Sequence, residues 1–474
     1  MPDEKQSTLI PDRLNTRQKL GLILAIASIV ISQVLPETSQ LSVAGMKTVG
    51  LLIAYLIMLI TEALPIIIIG LLSCALMPLL GITPNLPRAL VGFSEPIVFF
   101  VLASFGLAMA LTRIPLSQRI LRALLRKFGM NIESVLLSMM ICCALVSSIV
   151  SNVPTCMIFM TISLDFIKLY QDEEKRRISA RTFMIAMPVA SMIGGMITPA
   201  GSSNNILTMG LIEQHTGKAI TFLQWMFAGI PLTIVMIPLA WFVLLKTQKP
   251  AQISETDIAR FIDSMDIPEK IETKEKKVIV ITIIMFTLWI LSSWIPAINT
   301  VIVAVLGACV FMLPGMRIIK LETFIKENSW DAFFLMASVL SISRAMIDNG
   351  VSALIAQSIP ALNMPLFLLI AFSAILIFVS LLIIPVAPSL LPIMAMPLAS
   401  IAVATGASPV LVLLTAGLCG ANCYLLPLDT VPIITYSKGY YSMTDMAKST
   451  IFLQLAMIVF VMLWLPLVGM VFKM

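Results

Sequence analysis

The chain has 474 residues, of which 59% are hydrophobic and only 12% charged, and its mean hydropathy is +1.01. A soluble domain carries roughly 25% charged residues, so this composition excludes a water-soluble globular protein and requires a bilayer as solvent. The net charge of +6 sits in short loops between apolar runs, and no C2H2, helix-turn-helix or RNP pattern accompanies it, which excludes nucleic acid as a partner.

The N-terminus is polar through about Arg17 and then turns apolar, with no small-residue cleavage site in the right place. It reads as a retained first helix, not a signal peptide. Apolar segments follow at about 18–35, 45–60, 63–80, 96–112, 133–150, 153–168, 183–212, 223–245, 277–294, 299–314, 329–347, 366–384, 389–404, 409–437 and 448–472. Each is long enough, or nearly so, to cross a membrane as a helix. The stretch 246–276 is rich in Lys, Glu and Asp and reads as a solvated linker between two halves. Basic residues cluster in 113–132, in 167–182, in the linker, and at Arg317, Lys320 and Lys326, whereas 348–365 and 401–408 have none. Threading the helices with the N-terminus in the cytoplasm places every basic cluster inside. The C-terminus then ends outside a multi-pass plasma-membrane protein. The seven cysteines are scattered without a CxxC, and His215 is the only histidine, so no Cys/His metal site is expected.

Four segments are broken. In 133–168 two apolar halves meet at Ser147-Ser148-Ile149-Val150-Ser151-Asn152-Val153-Pro154-Thr155, with almost no loop. Non-helical backbone at membrane depth survives only when buried in protein or lining a polar cavity, so this pair reads as a re-entrant hairpin. The segment 183–212 contains Thr198-Pro199-Ala200-Gly201-Ser202-Ser203-Asn204-Asn205. Pro199 removes a donor and Gly201 permits positive φ, so the helix breaks there. The break frees carbonyls that suit a small cation, and Ser202, Ser203, Asn204 and Asn205 cap a second half whose N-terminus suits a carboxylate.

The pattern recurs. Phe100-Val101-Leu102-Ala103-Ser104 resembles Phe334-Leu335-Met336-Ala337-Ser338, and the same offset carries Pro154 onto Pro388. A second hairpin tip, Pro385-Val386-Ala387-Pro388-Ser389, stands in 366–404, and a second helix break, Leu426-Pro427-Leu428-Asp429-Thr430-Val431-Pro432, in 409–437. The predicted fold is an all-α polytopic membrane protein with about 11 transmembrane helices. It comprises residues 1–44 with the first helix, repeat 1 over 45–245, a cytoplasmic linker over 246–276 and repeat 2 over 277–474. Each repeat has an odd number of crossings, so the second enters from the opposite side. Such inverted repeats mark secondary transporters that bind at the repeat interface.

Those residues resemble the divalent anion:sodium symporter family, carriers of di- and tricarboxylates. The likeness rests on Ser151-Asn152, on Thr198-Pro199-Ala200-Gly201-Ser202, on the 426–432 break, on Ser437-Lys438-Gly439 and on Thr444-Asp445-Met446. It covers the chain from about residue 45 to the end. The resemblance implies a homodimer, an elevator motion of a transport domain against a scaffold, and hairpin tips of Ser-Asn-Thr type that hold substrate and two sodium ions. Substrate contacts are then expected from Ser151, Asn152, Val153, Pro154, Thr155, Gly201, Ser202, Ser203 and Asn204. The second repeat would supply Ala387, Pro388, Ser389, Pro427, Asp429, Thr430 and Val431.

This chain departs from the family at Val153, where Thr is expected, at Pro385-Val386-Ala387 in place of Ser-Asn-Thr, and at Val431-Pro432-Ile433 in place of Pro-Pro-Asn. Sodium wants several oxygen ligands, and an apolar tip cannot supply its share. One residual sodium site on Ser147, Ser151, Asn152 and Gly201 is the only cofactor expected. A sodium-independent exchanger of C4-dicarboxylates, 2-oxoglutarate or citrate follows. The alternatives are a sodium-coupled symporter, an inorganic-anion carrier, a channel and an intramembrane enzyme. No HExxH, no transmembrane His base and no partner for Asp429 support the last. Asp429 is either a cation or proton site or a helix cap, Lys438 either faces an anion or anchors the inner face, and Glu62, Glu95, Asp331 and Arg344 sit at segment ends.

Overall fold

A computed structural model describes residues 14–37, 41–129, 131–265, 267–316, 318–351, 354 and 364–473. The far N-terminus, Arg317 and most of the stretch 348–365, which has no Lys or Arg, lie outside the described residues. All regular structure among the described residues is helical. The chain opens with α1 (Thr16–Val34), α2 (Val43–Thr61), α3 (Ile66–Leu79) and α4 (Leu86–Ala89). Next come α5 (Pro96–Thr112), α6 (Leu116–Phe128), α7 (Ile132–Val150), α8 (Asn152–Ile167), α9 (Glu173–Gly195), α10 (Ser203–Thr216) and α11 (Phe222–Gln248). The second half holds α12 (Glu255–Ser264), α13 (Thr273–Leu291), α14 (Thr300–Met312), α15 (Leu321–Glu327) and α16 (Trp330–Asp348). It ends with α17 (Leu366–Ile383), α18 (Ala387–Ala404), α19 (Pro409–Gly420), α20 (Thr430–Tyr436) and α21 (Met443–Phe472). Nine helices among the described residues are long and apolar enough to cross a membrane, and α5 with α6, bent by 60°, could make a tenth. Shorter apolar helices, α3, α8, α14 and α19, add to them.

The two repeats are visible in the element order. Ile66 and Thr300 open α3 and α14, Pro96 and Trp330 open α5 and α16, and Ile132 and Leu366 open α7 and α17, three pairs each 234 residues apart. Each repeat continues with a tight helical pair, then an interrupted helix, then a long helix.

The chain divides into two compact units. Met1–Glu95 with Phe334–Ser358 form the first, and Pro96–Phe333 with Ile359–Met474 the second. In the first unit, α1 packs on α2 where Gly50 lets Ser28 Oγ donate to its carbonyl at 3.0 Å. Ser341 Oγ accepts from the Gly92 amide at 2.9 Å, and Arg88 pairs with Asp348 at 2.6 Å. Arg344 also reaches Asp348, at 3.2 Å, and Glu62 closes α2 with φ 51°. Glu62 and Arg344, expected at segment ends, therefore have local structural duties.

The second unit holds all four breaks. There α7 and α8 pack on α9, α10 packs on α18 and α19, and α20 packs on α8 and α9. Each hairpin thus meets the distal half of the other repeat's interrupted helix.

Two stretches expected to be loops are helices. The basic stretch 113–132 contains α6, whose Leu121 and Leu125 are buried while Arg122, Arg126 and Lys127 lie on its other faces. The linker 246–276 is not simply solvated. Ser254 caps α12, and Ile258, Phe261 and Ile262 are buried at i, i+3 and i+4, one apolar stripe. Phe261 packs edge-on against Phe166 with ring centroids 5.2 Å apart. Tyr170 donates to the Ala251 carbonyl at 2.6 Å, and Arg119 grips the buried Glu275 at 2.6 and 3.1 Å. Repulsion-rich composition concealed a docked segment.

Candidate functional site

The site begins at one residue. Ser151 alone separates α7 from α8, with φ 84° and ψ 157°, a backbone region that only glycine adopts freely. The chain reverses there without a loop. Asn152, the first residue of α8, is buried, and its side-chain amide fits with its nitrogen toward the carbonyls of Gly201 (3.2 Å) and Ser191 (3.0 Å) and toward Ser147 Oγ (2.8 Å). Ser191 Oγ in turn donates to the Asn152 carbonyl at 2.7 Å and lies 3.2 Å from Ser147 Oγ. The first tip is therefore stitched to α9 by a buried network of neutral oxygens and amides.

The interruption between α9 and α10 completes this half. Thr198 donates to the Ser148 carbonyl at 2.5 Å, joining the break to the last turn of α7. Asn205 Nδ2 donates across the gap to the carbonyls of Gly195 (2.7 Å) and Thr198 (2.9 Å). Trp225 Nε1 of α11 takes the Met196 carbonyl at 3.1 Å, and Thr233 takes that of Ile193 at 3.0 Å. The freed carbonyls, expected to stand open for a cation, are thus largely bonded by the protein itself, because unpaired carbonyls in a dry interior are expensive. A Cβ on Gly201 would strike the Gly195 carbonyl, and one on Gly195 would strike the Asn152 side chain. Both positions need glycine for this close approach. Ser202 caps α10 by accepting from the Asn204 amide at 3.3 Å.

Ser147, Asn152 and Gly201 thus come together, with Ser151 at their edge. Three oxygens nearby in sequence, Thr155 Oγ1, Asn204 Oδ1 and Asn205 Oδ1, are buried without a protein partner. Val153, Pro154 and Ser203 are partly exposed. Val101, Ser104 and Phe105 of α5 face Ser151, Ala200 and Ser203 across a void of about 10 Å³, room for roughly one water. The N-termini of α8 and α10 both begin here, and such ends favour negative charge.

The second half differs chemically. The tip Ile384-Pro385-Val386 joins α17 to α18 with no side-chain cap; the Ser389 amide donates to the Val386 carbonyl at 3.0 Å. Ala387 and Ser389 are buried and Pro388 is partly exposed. Beyond the α19 break, Asp429 caps α20, accepting from the Val431 amide at 3.1 Å and from Thr430 Oγ1 at 3.2 Å. Of its two expected roles, the cap is the one its contacts fill. Pro427 and Val431 are buried, and Cys156 of α8 reaches the Val431 carbonyl at 3.7 Å. Gln454 of α21 spans the break, accepting from the Tyr424 amide and donating to the Asn422 carbonyl, both at 3.2 Å. Lys438 is exposed on the outgoing turn.

Ser191, Trp225 and Gln454 escaped the sequence reading. Asn205, expected as a cap, instead bridges the break to the Gly195 and Thr198 carbonyls; the three others are single polar residues within helical runs, and only tertiary contact discloses their role. No cluster of three His, Cys, Asp or Glu able to hold a metal occurs among the described residues.

The model of the sodium:sulfate symporter transmembrane region matches residues 16–473. The chain belongs to the divalent anion:sodium symporter family. Within that family, the sodium-dependent dicarboxylate transporter SdcS of Staphylococcus saprophyticus is 26% identical, over 95% of this chain and 91% of its own. SdcS of Staphylococcus aureus MRSA252 is 27% identical, over 92% and 88%. Among solved structures, the Alcanivorax borkumensis YdaH transporter has a TM-score of 0.59 at 13% identity, covering 96% of this chain and 98% of that one, a likeness of fold. Membership makes the protein a multi-pass membrane transporter, and its helical repeats are those of a secondary transporter.

Proposed function

We propose that this protein carries dicarboxylates by obligate exchange, moving one anion in as another leaves. The observation that carries the reading is the inequality of the two tips. The first offers Ser147, Ser151, Asn152 and one unpartnered buried oxygen, Thr155 Oγ1. The second, Pro385-Val386-Ala387-Pro388-Ser389, offers a single hydroxyl, that of Ser389, and no amide side chain. Hydroxyls, amides and helix N-termini bind carboxylates without arginine, which keeps affinity modest and release quick. A second sodium ion would lack ligands at the apolar tip. Transport would proceed by an elevator motion of the unit holding the breaks, in a homodimer whose N-terminus faces the cytoplasm and whose C-terminus faces out. Relatives named as dicarboxylate transporters support the substrate class.

A second reading has its own support. The Ser147, Asn152 and Gly201 cluster is intact and buried, and the relatives are named sodium-dependent, which favours symport with one sodium ion. Counterflow in proteoliposomes separates the two. Exchange predicts rapid uptake of labelled succinate only into vesicles preloaded with a dicarboxylate, unchanged when choline replaces sodium. Uptake into empty vesicles driven by a sodium gradient would establish symport instead.

A further inference from the structure

A second polar cavity lies away from the four breaks. It has a volume of about 440 Å³ and sits between the first turns of α9 and the segment that joins α20 to α21. That is within the size of small-molecule sites, roughly 300–1,000 Å³. Arg177 and Arg181 line it one helical turn apart, on the same face of α9. Arg177 is exposed, and Arg181 has one long ion pair and one idle donor. Arg181 Nε is shielded from solvent with no acceptor, and its terminal nitrogen stands 3.7 Å from Asp445, beyond hydrogen-bond reach. Asp445 turns Oδ1 toward Arg181, while its Oδ2 accepts from the Ser442 amide at 2.9 Å and the Ser442 hydroxyl at 2.7 Å to close the cap of α21. Glu174 is exposed.

We infer that this cavity binds a small oxyanion, a carboxylate or phosphate group, held by the paired guanidiniums of Arg177 and Arg181. The physical reason is the unmet donor capacity. A guanidinium presents a planar fork suited to two oxygens of one anion, and a shielded Nε without an acceptor loses its hydration for nothing until such an anion arrives. Asp445 and Glu174 offset part of the positive charge, so occupancy is reversible. The position gives the site a consequence. α9 runs from this cavity to the first break at Gly195, and the 437–442 segment follows directly on α20, which opens at the second break. One anion here ties the outer ends of both interrupted helices together.

The test uses the purified full chain in nanodiscs and isothermal titration with inorganic phosphate. Wild type binds phosphate, and Arg177→Gln/Arg181→Gln lowers the affinity at least tenfold while Ser151→Ala/Asn152→Ala does not. Equal affinity in wild type and the arginine double variant overturns the inference, as does loss of phosphate binding in Ser151→Ala/Asn152→Ala alone. Should the Gln variant misfold, Arg177→Lys/Arg181→Lys keeps the charge and removes the fork; its affinity falls at least threefold, and an unchanged value is again fatal. Succinate in place of phosphate, and phosphatidylglycerol in place of phosphatidylcholine discs, identify the source. Competition by phosphatidylglycerol assigns the group to a lipid headgroup; competition by succinate alone assigns it to a soluble carboxylate.

Discussion

Ser151 combines two demands that conflict. Its hydroxyl belongs to the candidate site, yet its backbone conformation is one that a Cβ opposes, at about 1–3 kcal/mol. Ser151→Gly should therefore raise thermal stability in detergent while lowering transport. Ser151→Ala should lower transport without the stability gain. Equal melting temperatures for the two variants would show that the strain is absorbed elsewhere. Arg119 and Glu275 form the other residue-scale case. Glu275 is 1% exposed, so its carboxylate depends on the guanidinium. Arg119→Ala should destabilise by about 3–5 kcal/mol, more than Glu275→Gln, because only the former leaves a buried charge alone. Denaturation midpoints in detergent decide between them.

At the scale of elements, the breaks are held open by side chains from neighbouring helices. Asn205→Leu removes the donor from two carbonyls, those of Gly195 and Thr198. Gln454→Leu does the equivalent at Asn422 and Tyr424. Each should cost about 1–3 kcal/mol, read as a lower melting temperature, and each should slow transport more than a stability loss alone explains. If activity tracks folded fraction in both variants, the bonds serve stability only. The positions of the breaks were legible in the sequence, because Pro199, Gly201 and Pro427 interrupt long apolar runs. The bonds across them were not, since Asn205 and Gln454 find their partners only when the chain closes on itself. Nor could charge composition disclose α12. Its Ile258, Phe261 and Ile262 keep helical spacing, but they sit among enough Asp, Glu and Lys to imitate a solvated tether. The φ of Ser151 leaves no trace in residue type at all.

At the scale of the whole molecule, the inequality of the halves is the main result. One half presents a buried hydroxyl and amide network, the other a largely apolar tip and an aspartate that caps a helix. Both belong to the same compact unit, which also holds the docked linker. Phe261→Ala removes the ring that fills the contact with Phe166, and should cost about 3–5 kcal/mol. Limited proteolysis within 255–272 should then accelerate before the remainder of the chain unfolds. Unchanged cleavage would show that the other contacts of the segment suffice.

The docked linker also bears on how the protein is made. Phe166, Tyr170, Ser179 and Glu133, its partners through Phe261, Ala251 and Gln252, all precede it in the chain. A nascent chain that has reached Ser264 therefore already owns both sides of this contact. The base of the first hairpin can be sealed before α13 has emerged from the ribosome, which leaves the second repeat to assemble against a partner whose ends are already closed.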